Sequence, residues 1–218
     1  TVPPCTLEIT DAETFARDWT VIDVNSNVSA NTWAYNDGNA MYTQDKSNAA
    51  DDWLIAPAVT LEAGKAYKVS AYVKHSSTFG SDKQKIELKI GTAPTVEGLT
   101  TRLVYDESFQ SRLFVEKSGT FSPAESGVFY VGLRCYSGSY MGDLYFQKIV
   151  IEEAPVYPVQ ITDLSIVAGE RGAMSATLSW TWPSSDHLGG ALSNLLGAKI
   201  YRGTDLVATL DTATVGGK

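Results

Sequence analysis

Adjacent carboxylates stand next to a tryptophan within residues 48–75, and such a pair could catalyse, bind a metal or cap a strand. Asp51 and Asp52 directly precede Trp53 and an apolar run that stops at Pro57. On a strand, successive side chains point to opposite faces, so these two acids cannot face one substrate together. A glycosidase pair needs about 5–9 Å between its carboxyl groups across a cleft. The pattern therefore argues against catalysis and favours the start of a strand, with Trp53 in the core or, alternatively, as a ligand platform.

Oxygen-bearing side chains at alternate positions make residues 23–27 the best candidate for a metal site. Asp23, Asn25 and Asn27 can converge on a hard cation if the loop curls. Asp52 is a further candidate ligand. The segment is not an EF-hand, because Val28 occupies the position that requires glycine. We expect either a structural calcium ion held by these residues or an Asx-rich loop without metal.

Outward aromatic residues within residues 128–146 are the best candidates for ligand binding. If the intervening apolar residues point inward, then Tyr130, Arg134 and Tyr136 point outward. Tyr140 follows in a glycine-rich loop. Tyrosine rings stack on sugars or anchor protein contacts, and arginine adds fixed donors. We expect these four residues to bind a ligand, and the alternative is cross-strand pairing or cover by a neighbouring domain.

Two histidines, His75 and His187, lack any catalytic motif around them. The chain has no G-x-S-x-G elbow, no H-E-x-x-H sequence and no P-loop, so we expect no enzyme and place both histidines at the surface or in turns. A formal charge of −8 repels phosphate backbones and argues against nucleic acid as a partner. No apolar run approaches the roughly 20 residues that span a bilayer, so we expect no membrane insertion by this segment.

Two cysteines are too few for a disulfide scaffold and too far apart for a zinc pattern. Cys5 and Cys135 each share a face with apolar neighbours in an alternating segment. We expect buried thiols, with a disulfide bridge as the alternative.

Polar and apolar residues alternate in many short segments, which indicates strands with one buried face. The clearest are residues 66–74 and 85–91. Turn signals such as Asp37 followed by Gly38 separate them. The one fair helical candidate covers about residues 11–18. The pattern therefore predicts an all-β protein with a sandwich or barrel.

A proline-rich break divides the chain. Pro155 and Pro158 disfavour the continuation of a sheet, so we expect a linker at residues 154–158. A first domain then covers residues 1–153 and a second covers residues 159–218. The second has four strand-like segments in about 60 residues, whereas an immunoglobulin-like sandwich needs roughly 100 residues and seven strands. We expect this second sandwich to be incomplete.

Four blocks of the first domain together resemble one known family. These are DWTVIDVNSNVSANTW, ADDWLIAPAVTLEAGKAYKVSAYVK, SGTFSPAESGVFYVGLRCYS and LYFQKIVIEE. They resemble the choice-of-anchor J or cleaved-adhesin family of jelly-roll β-sandwich domains. The tail, with Trp180 in LSWTWP and Tyr201 in AKIYRG, is similar to the first half of a fibronectin type III domain.

The resemblance implies a jelly-roll sandwich on a secreted or surface protein, as in many Bacteroides-type bacteria. It implies an extracellular, non-catalytic module that binds a glycan or a surface protein within a longer multidomain chain. Some jelly rolls of this kind hold structural calcium. The alternative function is a spacer that positions other domains and has no ligand of its own. Fold alone does not decide between these functions.

Overall fold

The structure is a computed structural model, and it describes residues 1–25, 31–77 and 79–218. The chain divides into two compact units, Thr1–Ala154 and Pro155–Lys218. In the described residues, one short helix accompanies strands throughout, so the protein is all-β. No helix in this part of the chain is long and apolar enough to cross a membrane.

Within residues 1–25, 31–77 and 79–154, the first unit contains twelve strands and the helix. The elements in chain order are β1 (Cys5–Glu8), α1 (Ala12–Asp18), β2 (Thr20–Asp23), β3 (Trp33–Asn36), β4 (Asn39–Tyr42), β5 (Asp52–Ile55), β6 (Val59–Leu61), β7 (Ala66–His75), β8 (Gln84–Gly91), β9 (Thr101–Phe109), β10 (Val115–Phe121), β11 (Gly127–Cys135) and β12 (Leu144–Ala154).

These strands form two six-stranded antiparallel sheets that pack as a jelly-roll sandwich. The first sheet has the order β10-β7-β12-β4-β3, and β1 pairs with β12. The second sheet has the order β2-β5-β11-β8-β9, and β6 pairs with β11. Most neighbouring strands are distant in the chain, as in the pairing of β7 with β12. The sandwich therefore depends on long-range pairing that no single segment can form alone.

One apolar cluster fills the space between the two sheets. Val69, Ala71 and Val73 of β7 are buried in it, and their polar neighbours lie on the other face, as the alternation predicts. Val131 and Leu133 of β11 enter the same cluster from the second sheet. Complete burial of a side chain of this size contributes about 1.5–3 kcal/mol, so the cluster is the main source of cohesion in this unit.

A second, smaller apolar cluster lies on the outer face of the second sheet. It contains Trp53, Ile55 and Leu99, each at most 1% exposed. Leu54, between the first two, belongs to the main core, so Trp53 points away from it. The prediction that Trp53 is buried is confirmed, but the predicted side of the sheet is wrong. The segment between β8 and β9 brings Leu99 over the ring and excludes water from it.

Local sequence explains the helix and the tightest hairpin. The Asp11 carboxylate accepts the Thr14 backbone N–H, and the Thr14 hydroxyl accepts the Asp11 N–H, which forms a capping box. Between β3 and β4, Asp37 and Gly38 have φ of 45° and 72°. Positive φ at both central residues is the type I′ geometry that two-residue hairpins favour. The predicted helix and turn are thus confirmed.

The second unit consists of two separate hairpins. β13 (Ser165–Ala168) pairs with β14 (Ala176–Ser179), and β15 (Ala198–Arg202) pairs with β16 (Asp205–Leu210). All four strands are those that the sequence predicts. Many of their apolar residues are exposed, including Ile166 at 65%. The likeness of this unit to a fibronectin type III domain stays a prediction.

Removal of the cover over Trp53 should destabilise the first unit. We expect Leu99→Ala to lower the free energy of unfolding by about 2–4 kcal/mol, since it leaves a cavity beside a buried indole. Leu113→Ala, at a site that is 77% exposed, should change it by less than about 0.5 kcal/mol. Urea unfolding followed by tryptophan fluorescence measures both. Equal midpoints would contradict the role of Leu99.

Candidate functional site

The outer face of the second sheet carries three of the four residues predicted to bind a ligand. β11 directs Tyr130 and Arg134 outward, because Val131, Leu133 and Cys135 point into the core, and Tyr136 directly follows the strand. All three are half-buried. Tyr130 packs against the cluster of Trp53 and Leu99. The structure thus brings Arg134 and Tyr136 together and places Tyr130 beside the apolar cover.

A buried carboxylate organises this face. Glu87 of β8 lies opposite Arg134 of β11 and is only 2% exposed. Arg102 Nε lies 2.6 Å from Glu87 Oε1, Arg134 Nη1 lies 3.5 Å from Oε2, and Lys89 Nζ lies 3.7 Å from Oε1. A buried carboxylate without cationic partners would cost several kcal/mol. These three cations therefore hold Glu87, and Glu87 in turn fixes their positions.

Arg134 is held on two sides. Its Nε and Nη2 atoms donate to Asp51 Oδ1 and Oδ2 at 2.7 and 2.9 Å, which is a bidentate pair. These hydrogen bonds raise the pKa of Arg134. The guanidinium also lies 5.6 Å from the Trp53 ring and 5.1 Å from the Tyr136 ring. Three of its five N–H groups thus serve the protein itself, so Arg134 mainly positions the rings beside it.

Two tyrosine rings stack next to this ion-pair network. Tyr105 of β9 and Tyr136 have ring centroids 6.1 Å apart and planes 21° apart. Arg102 lies over the Tyr105 ring at 4.6 Å. Tyr105 is 51% exposed, whereas the Tyr136 hydroxyl is buried without a hydrogen-bond partner among the described residues. Burial raises the pKa of Tyr136. We call Glu87, Arg102, Tyr105, Arg134 and Tyr136 the outer strip.

Sequence reasoning did not select Glu87, Arg102 or Tyr105 as site residues. Alternation in residues 85–91 places Glu87 on the polar face, but it does not reveal which cations reach it. The pairing of β8 with β9 contains two register shifts, between Gln84 and Ile86 and between Leu88 and Lys89. Such bulges re-aim side chains and cannot be located from a period of two.

Tyr140 lies in a different pocket from the rest of the predicted ligand site. The pocket is a cavity of about 260 Å³, and neither Tyr130, Arg134 nor Tyr136 lines it. Tyr140 is 59% exposed and has φ of 62°. We call this cavity the rim pocket, and its lining residues are Gln44, Ser76, Ser77, Phe79, Asp82, Tyr140 and Gly142.

The prediction for His75 is wrong, because the structure buries it. His75 is 1% exposed, and its Nε2 lies 2.5 Å from the Met141 carbonyl oxygen. The histidine ends β7, where the loop before β12 folds over it. Sequence alternation shows only that His75 shares a face with core residues of its strand. The loop that covers it comes about sixty positions later in the chain, so the local pattern does not reveal the burial. His187 is half-buried, and its ring stacks on Tyr157 at 3.7 Å.

The predicted metal ligands lie at the ends of β2 and β5. Asp23 is opposite Asp52 in the β2–β5 register, and Asn25 Nδ2 donates to the Ala49 carbonyl at 2.6 Å. Asn27 lies outside the described residues. No cluster of three or more His, Cys, Asp or Glu side chains able to hold a metal occurs in residues 1–25, 31–77 and 79–218. Structural calcium stays a prediction.

Asp52 is the unusual member of that set. Its side chain is completely buried, and its Oδ2 accepts the Asp51 backbone N–H at 3.1 Å. Oδ1 makes no hydrogen bond of normal geometry among the described residues, although the nearby Thr32 hydroxyl favours the ionised form. Burial raises the pKa of Asp52 to about 6, and the nearby Asp23 carboxylate acts in the same direction. The fold therefore favours the protonated acid.

Both cysteines are free thiols. Cys135 is buried in the main core, and Cys5 is partly buried beside it. Burial raises the pKa of Cys135 to about 12, so its thiol is unreactive near neutral pH. Of the two alternatives from the sequence, the structure shows the thiols and not the bridge.

Comparison with solved structures identifies the fold. The chain is similar to the K3 cleaved adhesin domain of Lys-gingipain from Porphyromonas gingivalis, with a TM-score of 0.50 and 11% identity over 68% of this chain and 98% of that one. The K1 cleaved adhesin domain of the same protein gives 0.49 and 15% over 69% and 99%. A CBM4 structure gives 0.46 and 14% over 69% and 95%. At these identities the likeness shows the jelly-roll fold alone.

Comparison at the level of sequence adds no family. No protein-family model matches the chain. No curated protein matches it either. The evidence on function therefore comes from the site.

The raised pKa of Asp52 predicts a pH-dependent stability. The folded state binds the Asp52 proton more tightly than the unfolded chain does, so the protonated acid stabilises the fold. This stabilisation is complete below about pH 4 and is lost as pH rises through about 6. By pH 8 the loss should be on the order of 2–3 kcal/mol. Urea unfolding in EDTA from pH 4.5 to 8 measures it. Asp52→Asn should flatten the profile, whereas Glu97→Gln, at an exposed site, should not. A wild-type slope in Asp52→Asn would contradict the prediction.

Calcium tests the predicted metal ligands directly. If Asp23 and Asp52 bind the ion, calcium at about 5 mM should raise the melting temperature of the wild type by roughly 5 °C through mass action. This size assumes a concentration of about 100 times the Kd. Asp23→Asn and Asp52→Asn should each remove the increase. Differential scanning calorimetry at pH 7.5, with magnesium as the control ion, measures it. An unchanged melting temperature in the wild type would leave the metal-free loop as the correct alternative.

Proposed function

We propose that the first unit is an extracellular, non-catalytic binding module of a bacterial surface or secreted protein, and that it binds carbohydrate or protein through the outer strip. One observation carries this proposal. The exposed ring of Tyr105 is stacked on Tyr136 and held by Arg102 within an ion-pair network around buried Glu87. An exposed aromatic surface that is already rigid is suited to binding.

Rigidity matters because binding costs conformational entropy. A free tyrosine and a free arginine each lose rotamer freedom when a ligand orders them, at about 0.5–1.5 kcal/mol per side chain. In the outer strip, Arg102 and Tyr105 are already fixed by Glu87 and Tyr136. The strip offers both an apolar ring face and charged donors. Such a surface fits a sugar ring, which has a C–H face and hydroxyl groups, or a protein hot spot.

The carboxylates of this face support binding rather than catalysis. Asp51 is paired bidentately with Arg134, and Glu87 is paired with Arg102 and Arg134. A general acid or base has to exchange a proton with substrate, and its carboxyl group has to be within reach of it. Here the carboxylate oxygens accept hydrogen bonds from the protein's own guanidinium groups, so they serve to position cations.

A spacer without a ligand is the second candidate function, and specific contacts favour it. Arg134 directs three N–H groups to Asp51 and Glu87, the Tyr136 hydroxyl is buried, and Tyr130 packs on the cluster beneath. These three residues would then only stabilise the sheet. The two functions differ in their dependence on Tyr105, which is exposed and belongs to neither apolar cluster.

Binding to glycans and cells tests the proposal. We expect the fluorescently labelled chain to bind a subset of a glycan array or the surface of cultured epithelial cells. Tyr105→Ala should weaken that binding by at least about 10-fold, which corresponds to about 1.4 kcal/mol. Tyr201→Ala removes a tyrosine of similar exposure (54%) in the second unit and serves as the control.

Pretreatment of the cells separates the two ligand classes. Glycosidase treatment should abolish binding if the ligand is carbohydrate, and protease treatment alone should abolish it if the ligand is protein. Background signal on both the array and the cells, or equal binding by Tyr105→Ala and wild type, would contradict the binding function and support the spacer. Thermal melting of each variant shows that its fold is intact.

A further inference from the structure

The rim pocket lies where three neighbouring strands of the first sheet end together. Leu144, the first residue of β12, is opposite both Tyr42 of β4 and His75 of β7. The segments that follow β4 and β7, and the loop that precedes β12, therefore meet at one end of the sandwich. They supply Gln44, Ser77 and Tyr140 to the pocket, and none of these belongs to the outer strip.

Two exposed aromatic residues line the rim pocket together with polar residues. Phe79 is 69% exposed and Tyr140 is 59% exposed, although burial would be favourable for both. The other side chains that line the cavity are polar, among them Gln44, Ser77 and Asp82. Its volume of about 260 Å³ is just below the roughly 300 Å³ at which pockets for drug-sized ligands begin. The pocket therefore has room for a small amphipathic group.

Tyr140 is held in a conformation that its side chain disfavours. Its φ of 62° is uncommon for a residue other than glycine. Its N–H donates to the Asp45 carbonyl at 2.8 Å. Nearby, the Gly142 N–H donates to Gln44 Oε1 at 2.9 Å. A Cβ at Gly142 would lie 2.6 Å from His75 Nε2, so only glycine fits there. Such strain persists where the surroundings over-determine the backbone.

Buried polar side chains form hydrogen bonds to the loop that carries Tyr140. Gln84 is fully buried, and its Nε2 donates to the carbonyls of Met141 and Gly142 at 3.0 and 2.6 Å. Its Oε1 accepts from the buried Ser137 hydroxyl. The His75 ring contacts the same Met141 carbonyl. The loop that carries the exposed Tyr140 ring is thus held by more buried hydrogen bonds than an ordinary surface loop.

The opposite side of the pocket is fixed in the same way. The Ser77 hydroxyl donates to Asp82 Oδ2 at 2.5 Å and accepts the Phe79 N–H at 3.1 Å. Gln110 Nε2 donates to the carbonyls of Phe79 and Asp82 at 2.6 and 3.1 Å. Hydrogen bonds from Ser77 and Ser81 lower the pKa of Asp82, so it is ionised near neutral pH. An anion is therefore disfavoured in this pocket, and hydroxyl donors are favoured.

We propose that the rim pocket is a second binding site, separate from the outer strip, that takes one neutral sugar residue. The C–H face of the sugar ring packs on the Tyr140 and Phe79 rings. Its hydroxyl groups donate to Asp82 and to the remaining lone pair of Ser77, and they exchange hydrogen bonds with the Gln44 amide. Because the two sides are held rigidly before binding, little entropy is lost when the sugar binds.

The test uses the nitrogen-15-labelled full chain and the methyl glycosides of glucose, galactose, mannose, xylose and N-acetylglucosamine as probes. Two-dimensional proton–nitrogen NMR is recorded as each glycoside is raised to about 50 mM, since a ligand of this size should bind with a roughly millimolar Kd. We expect at least one glycoside to shift the amide signals of Ser77, Tyr140 and Gly142 in a saturable manner.

Tyr140→Asn is the decisive variant. Asparagine tolerates positive φ, so the loop conformation is retained while the ring is lost, and we expect the affinity to fall by at least about 10-fold. Phe79→Ser should weaken binding in the same direction. Tyr201→Asn in the second unit should leave the titration unchanged. An unchanged amide signal of Gln84 shows that the base of the loop is intact.

Two results would overturn the proposal. One is the absence of shifts at the rim pocket with every glycoside, and the other is wild-type binding by Tyr140→Asn. Shifts at Arg102 and Tyr105 alone would overturn the rim pocket while supporting the proposed function of the outer strip. Shifts at the rim pocket together with Tyr105-independent cell binding would support the rim pocket and contradict the outer strip.

Discussion

The antiparallel pairing of β7 with β12 is the constraint on which the rest of the first unit depends. It joins Ala66–His75 to Leu144–Ala154, nearly eighty positions apart, and places both strands in the middle of the first sheet. The same register brings His75 opposite Leu144, and so it closes the end of the sandwich where the rim pocket forms. Such a pairing incurs loop-closure entropy before its contacts form. The buried apolar faces of both strands compensate for this cost.

Burial of charge is the second organising feature, and it has opposite consequences at two places. Glu87 is buried with cations around it, so the desolvation of the carboxylate is offset and the surrounding side chains become fixed. Asp52 is buried beside another acid, and its pKa rises because burial outweighs the hydrogen bonds from Thr32 and the Asp51 backbone that favour the ionised form. One arrangement builds a rigid surface, whereas the other makes stability sensitive to protonation.

Rigid presentation of exposed aromatic rings is common to both proposed sites, but the sites use different means. In the outer strip, Tyr105 is held by ring stacking and by a guanidinium group above a strand surface. In the rim pocket, Tyr140 has a strained backbone, and the buried Gln84 amide and His75 imidazole hold the loop that carries it. Strand surfaces are fixed by the sheet itself, while a loop needs dedicated hydrogen bonds to the same effect. This difference explains why the buried polar residues His75 and Gln84 lie at the end of the sandwich.

The sequence by itself determined what depends on neighbours within a few positions. Alternation with a period of two predicted strands β7 and β8 with their inward faces and the outward direction of Tyr130, Arg134 and Tyr136, and residues 11–18 were the predicted helix. Only the tertiary structure decided which outward residues meet. Leu99 covers the outer side of Trp53, and Arg102 and Arg134 converge on Glu87. The loop before β12 buries His75, and Tyr140 lies in a separate pocket. The physical reason is that side-chain direction follows from local backbone geometry, whereas cover, charge pairing and pocket formation depend on strand register and on loops distant in the chain.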